Sequence, residues 1–259
     1  MSVLLIGCGR MGGALAKGWR DRERVWAFDP AAPDMEGVRR LERLSDADGL
    51  GEALTIVIAV KPQVLPSILP DLRPFAEAGA LIISIAAGFT LAGLHEALGP
   101  NALAVRTMPN TPAAIGRGIT AAVAGPSVGE KHRERVTELL SAVGKVVWLE
   151  EERQMDAVTA VSGSGPAYFF RFTEALAAAG AAEGLPPAIA MQLARATFEG
   201  AGALAEVREE EVAALRQEVT SPGGTTAAAL AVFNEREGIE AMVGRAVAAA
   251  AARSRELSL

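Results

Sequence analysis

The sequence predicts an α/β domain with a mostly parallel sheet, followed by an all-α domain. Three features carry this expectation. Up to Glu150, short β-rich runs alternate with helical patterns, the signature of successive βαβ units. Beyond Glu150 the β-branched runs vanish, alanine becomes abundant, and Pro or Gly falls only at intervals that punctuate helices. The chain is 259 residues long and half hydrophobic, enough for two modest domains. The expected division is therefore 1–150 and 151–259.

In the first domain, strands are expected at Val3 to Ile6, Arg24 to Phe28, Leu54 to Val60, Ala80 to Ile85 and Ala102 to Arg106, with two more near Ile119 to Val123 and Val146 to Leu149. The third and fourth are near-continuous Ile, Val and Leu, as in strands covered on both faces, which places them mid-sheet. In the second domain, helices are expected over Glu151 to Val161, Pro166 to Glu183, Pro186 to Val207, Glu209 to Glu218, Thr225 to Asn234 and Gly238 to Glu256. Val161 to Ala181 and Val247 to Ala252 carry small apolar residues around much of their circumference, more than a helix with one solvated face shows. A subunit interface would bury that excess, and so would a tight bundle within one chain.

Composition excludes several classes of function. Subtracting 31 acidic from 25 basic residues leaves a net charge of −6, without the basic face that a nucleic acid needs. The longest strongly apolar stretches, Leu54 to Val60 and Ala80 to Ala87, fall far short of the roughly 20 residues that span a bilayer. The first apolar run lacks a charged leader and stops after Ile6 at a glycine, so a secretory signal does not fit and the chain reads as cytoplasmic. Cys8 is the single cysteine and His95 and His132 are the only histidines, so neither an internal disulfide nor a Cys/His metal site is available.

The first motif is Gly7-Cys8-Gly9-Arg10-Met11-Gly12, which follows an apolar strand and opens a helix. That context is what the dinucleotide fingerprint requires. The first glycine permits a tight turn, the second lets the backbone approach a pyrophosphate, and the third lets helix and strand pack closely. Free N–H groups at the helix start then face the anion. Asp29, 17 residues past the last glycine, closes the second strand, where a carboxylate accepts hydrogen bonds from ribose hydroxyls and repels a 2′-phosphate. Asp29 therefore favours NADH over NADPH. Arg10 fits a phosphate-loop cation serving either cofactor, and equally a solvated side chain. Cys8 is most simply a small filler.

Strand carboxyl ends are where open α/β sheets hold ligands. Lys61-Pro62-Gln63 follows the third strand, so Lys61 is placed to reach cofactor or substrate, although a strand-closing lysine is often only solvated. Ser84-Ile85-Ala86-Ala87-Gly88 ends the fourth with small residues that admit a flat nicotinamide ring, and Met108-Pro109-Asn110-Thr111-Pro112 ends the fifth. Three consecutive strand ends of this kind are expected to form one crevice. In the second domain, Thr220-Ser221-Pro222-Gly223-Gly224-Thr225-Thr226 precedes a helix. It reads as an anion cradle in which the Gly224 and Thr225 N–H groups and the Ser221 hydroxyl hold a carboxylate. An ordinary capped helix start uses the same residue types. Ser162-Gly163-Ser164-Gly165-Pro166 is a second such joint.

All four lysines and both histidines precede residue 150, so an alcohol-to-ketone reaction lacks its usual proton carrier in the second domain. Imine reduction is less demanding, because an iminium nitrogen already carries its proton. Thr226 is positioned to orient such a nitrogen without titrating.

The ordered motifs IGCGRMGGAL, AVKPQ, ISIAAG, MPNTPA, DAVTAVSGSGPAY, EGLP, VTSPGGTT and RSREL resemble those of the pyrroline-5-carboxylate reductases along essentially the whole chain. The resemblance implies a Rossmann domain followed by an all-α dimerisation domain, homodimers that assemble further into decamers, and hydride transfer from NADPH or NADH to the C=N bond of 1-pyrroline-5-carboxylate, yielding L-proline. It assigns Gly7 to Gly12 to the pyrophosphate, and Ala59, Val60, Lys61, Pro62, Ala86 and Ala87 to the nicotinamide half. It places the substrate carboxylate on Ser221, Gly224 and Thr225 and the ring nitrogen at Thr226, and it aligns Glu209 with a glutamate near the substrate. Arg10 stands where the family often has Asn, and Asp46 where an adenine-contacting Asn is common. Two other readings are a 3-hydroxy acid-type dehydrogenase, disfavoured by the lysine-free second half, and a non-catalytic dinucleotide sensor. The reductase reading requires the glycine loop and the Ser221 to Thr226 joint to meet around one pocket.

Overall fold

A computed structural model describes residues 2–31, 34–50 and 54–258. The strands are β1 (Ser2–Ile6), β2 (Arg24–Phe28), β3 (Val38–Arg40), β4 (Leu54–Ile58), β5 (Leu81–Ser84), β6 (Leu103–Met108), β7 (Gly118–Ala124) and β8 (Gly144–Trp148). They form one eight-stranded sheet in the order β3-β2-β1-β4-β5-β6-β7-β8, parallel throughout except for the antiparallel β6–β7 pair. The apolar β4 and β5 lie mid-sheet, as expected, and every residue of both is buried.

The core has two faces because successive side chains of a strand point to opposite sides. Leu4 and Ile6 of β1 pack on one side with Leu65, Leu69 and Leu72 of helix α2 (Leu65–Glu77) and with Leu94 and Leu98 of α3 (Leu91–Leu98). Val3 and Leu5 pack on the other with Leu15 and Trp19 of α1 (Arg10–Trp19) and with Val136, Leu139 and Leu140 of α4 (Glu130–Ser141). Trp19 is fully buried, and its indole N–H donates to the Leu139 carbonyl at 2.7 Å, which satisfies the one polar atom of that ring.

Strand β3 was not expected. It is three residues long, two of them exposed arginines, and exists because its backbone pairs with β2, not because its side chains demand burial. The expected helix from Glu151 to Val161 is also remade: a 3₁₀ turn over Glu152–Gln154, α5 (Met155–Val158) and a π-helical turn over Thr159–Gly163. The remaining helices are α6 (Gly165–Ala182), α7 (Pro187–Val207), α8 (Val212–Glu218), α9 (Thr225–Phe233) and α10 (Ile239–Glu256). Among the described residues no helix is long and apolar enough to cross a membrane.

Two compact units result, Met1–Gly163 with Ala250–Leu259, and Ser164–Ala249. The change of sequence texture at Glu150 and this division differ for identifiable reasons. Glu152 accepts hydrogen bonds from the buried Arg106 guanidinium of β6 at 2.7 Å and from the Leu91 N–H at 2.8 Å. Met155 is buried in the first core, and the Ser254 hydroxyl of the last helix donates to Asp156 at 2.7 Å. In the second unit α6 and α7 pair through Phe169 and Phe198, whose rings stack 5.7 Å apart. Much of the apolar excess of α6 stays exposed in the single chain, with Phe170 at 58% and Leu176 at 44%, so a tight intrachain bundle does not bury it.

Candidate active site

The glycine loop is built by close approach. Gly7 has φ +93°, and its N–H donates to the Phe28 carbonyl at 3.0 Å, tying the loop to the end of β2. A Cβ on Gly12 would sit 2.1 Å from the Gly7 carbonyl oxygen, so the helix start lies directly on the turn. Gly9 caps α1 with no side-chain partner, and Gly13 N–H makes the first helical bond to its carbonyl at 2.8 Å. The N–H groups of Arg10, Met11 and Gly12 are left outside the helical ladder, ready for an anion. Nothing lies within 4 Å of where a Gly9 Cβ would be, so the second glycine faces the open space that a pyrophosphate needs. These residues fit a dinucleotide.

Asp29 is closer to the loop than spacing could show. Its Oδ2 accepts from the Cys8 N–H at 2.7 Å and its Oδ1 from the Ala31 N–H at 2.9 Å. Each oxygen keeps a lone pair for a ribose hydroxyl. Asp29 and Cys8 line a pocket with Ala27, Asp34, Met35, Val38 and Arg40. Burial, reinforced by the Asp29 charge and opposed by Arg40, pushes the Cys8 thiol up to about 11. It therefore stays protonated at neutral pH, which agrees with a filler and not with a reactive thiolate. Arg10 is exposed at the first position of α1. Asp46 accepts from the Arg43 backbone N–H at 3.2 Å and from its guanidinium at 3.3 Å, closing the 3₁₀ turn over Leu44–Gly49.

The three strand ends do lie side by side. Ala59 N–H donates to the Ile6 carbonyl at 2.7 Å and Ile85 N–H to the Ile58 carbonyl at 3.0 Å, so the ladder continues past the ends of β4 and β5. Ala59, Val60 and Pro62 are half-buried, Ala86 is buried, and Lys61 and Ala87 are exposed. The Thr107 hydroxyl donates to the Ser84 carbonyl at 3.0 Å. Asn110 accepts from the Ile119 N–H at 2.9 Å and donates to the Ser162 carbonyl at 3.2 Å, so the loop after β6 holds the π-helical turn. Nothing in the residues signals that turn beyond its paired Ser and Gly, although π turns often accompany functional sites.

The remaining site residues lie on the second unit. Gly223 has φ +70°, and Gly224 is the N-cap of α9. The Gly224 N–H donates to the Ser221 carbonyl at 3.0 Å. The turn needs that bond to close. The N–H groups of Thr225, Thr226 and Ala227 remain outside the ladder, because the first helical bond runs from Ala228 to Gly224 at 3.2 Å. Ser221 and Thr225 are exposed and Thr226 is half-buried. Glu209 is exposed between α7 and α8, beside a network in which Arg208 pairs with Glu210 at 2.6 Å and Glu218 at 2.8 Å. The Arg208 guanidinium holds the Glu210 carboxyl well below the usual carboxylate range, so the paired acids here are Glu210 and Glu218 rather than Glu209. Among the described residues no three His, Cys, Asp or Glu side chains gather as a metal ion would require.

A doubly wound sheet, a glycine loop on a helix start and a carboxylate just past the second strand define a dinucleotide-binding protein of the Rossmann type. Comparison with known proteins narrows this class. Residues 152–257 match the family described as pyrroline-5-carboxylate reductase dimerisation, and residues 2–88 match the family described as NADP oxidoreductase, coenzyme F420-dependent. A pyrroline-5-carboxylate reductase of Pseudomonas aeruginosa is 40% identical, covering 99% of this chain and 96% of that protein. The solved structure of a Coxiella burnetii pyrroline-5-carboxylate reductase is 30% identical with a TM-score of 0.91, covering 99% of this chain and 98% of that one. A Plasmodium falciparum pyrroline carboxylate reductase, solved with NADP bound, is 28% identical with a TM-score of 0.84, covering 100% and 98%. The chain belongs to the pyrroline-5-carboxylate reductase family.

Proposed function

We propose that this chain reduces the C=N bond of 1-pyrroline-5-carboxylate to L-proline with NADH or NADPH, as the last step of proline biosynthesis. Family membership across the full chain carries the reading, and the open glycine loop supports it. The N–H groups of Arg10, Met11 and Gly12 hold the pyrophosphate, and Asp29 accepts from the ribose hydroxyls in a way that favours NADH. Asp46 lies at the adenine end. Ala59, Val60, Pro62, Ala86 and Ala87 present small or flat surfaces against the nicotinamide half. A bound reduced nicotinamide supplies the hydride.

On the second unit, the Ser221 hydroxyl and the Thr225 N–H hold the substrate carboxylate, Gly224 shapes the turn, and Glu209 lies near the substrate. Thr226 orients the ring nitrogen. The substrate enters as the iminium, so the nitrogen brings its own proton and needs no titrating group in the second half of the chain. Lys61 then has either of two roles, positioning groups at the crevice or protonating the fraction of substrate that arrives as the neutral imine. Residues 152–257 match a dimerisation family, and the exposed apolar surfaces of α6 and α7 supply a face for self-association. We take the active form to be a cytoplasmic homodimer able to assemble into decamers.

Mixing the purified protein with 1-pyrroline-5-carboxylate and NADH or NADPH should lower the absorbance of the reduced nicotinamide. No change with either cofactor would sink the reading. A KM for NADH below that for NADPH is the expected consequence of Asp29. Thr226→Ala should lower kcat/KM by about 1–2 kcal/mol, the scale of one hydrogen bond beside a charge. An unchanged kcat/KM removes Thr226 from the mechanism.

A further inference from the structure

We propose that Arg40 reads the 2′-phosphate that distinguishes NADPH from NADH, so that Asp29 and Arg40 together set the cofactor preference. This deepens the reductase reading and rests on it. Arg40 is the last residue of β3 and pairs in register with Ala27, two residues before Asp29. Because β2 and β3 are parallel, both reach the same carboxyl edge of the sheet, where the ribose of a dinucleotide lies. Alternation along the strand does the rest. Val38 and Arg40 line the pocket that contains Asp29, whereas the Arg39 guanidinium lies over the Trp26 ring, 5.1 Å from its centroid.

The Arg40 guanidinium is already oriented. It donates to the Pro30 carbonyl at 3.1 Å and stands 3.7 Å from Asp34 Oδ1. The Asp34 side chain is 90% exposed, so that ion pair is weakly held and gives way to a phosphate, which accepts two parallel N–H bonds from one guanidinium. The arginine is also near enough to Cys8 to oppose the effect of Asp29 on its thiol, so both charges act on one small volume. Arg10, at the opening of α1, belongs to the pyrophosphate end instead. Asp29 and Asp34 both repel a 2′-phosphate, and Arg40 offsets them. The pocket therefore admits NADPH without demanding it.

The test compares binding of 2′-phospho-ADP-ribose and ADP-ribose to the full chain by calorimetry. Arg40→Gln should weaken the phosphorylated ligand tenfold or more and leave ADP-ribose within twofold, with a matching rise in KM for NADPH alone. Arg40→Lys should fall between the two, because it keeps the charge and loses the fork. Arg39→Gln should change neither ligand. Equal losses for both ligands, no loss in Arg40→Gln, or failure of the wild type to bind 2′-phospho-ADP-ribose would each overturn the proposal. Failure of the reductase reading looks different: both ligands bind as stated, yet 1-pyrroline-5-carboxylate oxidises neither reduced cofactor.

Discussion

Gly12→Ala should lose dinucleotide binding and fold stability together, with about 3 kcal/mol of destabilisation from overpacking. The added methyl would sit 2.1 Å from the Gly7 carbonyl oxygen, a backbone atom that cannot swing aside. Relief comes only if α1 slides away from the turn, and sliding carries the N–H groups of Arg10 and Met11 off the phosphate. Thermal melting and cofactor titration should therefore fail in parallel. Gly9→Ala is the informative partner, because its methyl meets nothing within 4 Å. That variant should melt like the wild type and still bind NADH at least tenfold more weakly, because the methyl occupies space the pyrophosphate requires. Normal cofactor affinity in both variants would mean that the glycine loop is not the phosphate seat.

Glu152→Gln should cost about 3 kcal/mol in urea unfolding, the scale of breaking one side of a buried ion pair. The Arg106 side chain is 8% exposed and that of Glu152 is 28% exposed. Removing the acid leaves a cation inside the sheet with its partner gone. Removing the base, as in Arg106→Met, leaves a carboxylate that water still reaches and that keeps the Leu91 N–H at 2.8 Å. Arg106→Met should therefore be the milder change. The reverse order would show that the pair is not what joins the segment after β8 to the sheet.

Seven of the eight strands were legible because their stability is written in their own residues. Runs such as Leu54 to Ile58 have one reasonable place, the middle of a covered sheet. Val38–Arg40 has no such run, and its strand state comes from the backbone of β2. With that strand hidden, Arg40 could not be seen beside Asp29, and Arg10 in the glycine loop was the cation the sequence offered for the phosphates of the cofactor. The π-helical turn at Thr159–Gly163 escaped for a similar reason, since its anchor is the Asn110 amide, 52 residues from Ser162. In the Ser221 to Thr226 joint the residue types were readable and the closing of the turn through the Gly224 N–H was not. Which N–H remains open depends on how the turn closes, and here closing it takes the one on Gly224.

An engineer wishing to switch the coenzyme of such a fold would ordinarily begin with the acidic residue after the second strand. In this chain that carboxylate also grips the loop backbone at Cys8, so exchanging it loosens the seat used by either coenzyme alike. Redesign is better started one strand outward, where a side chain can be altered without disturbing the architecture that both nucleotides share.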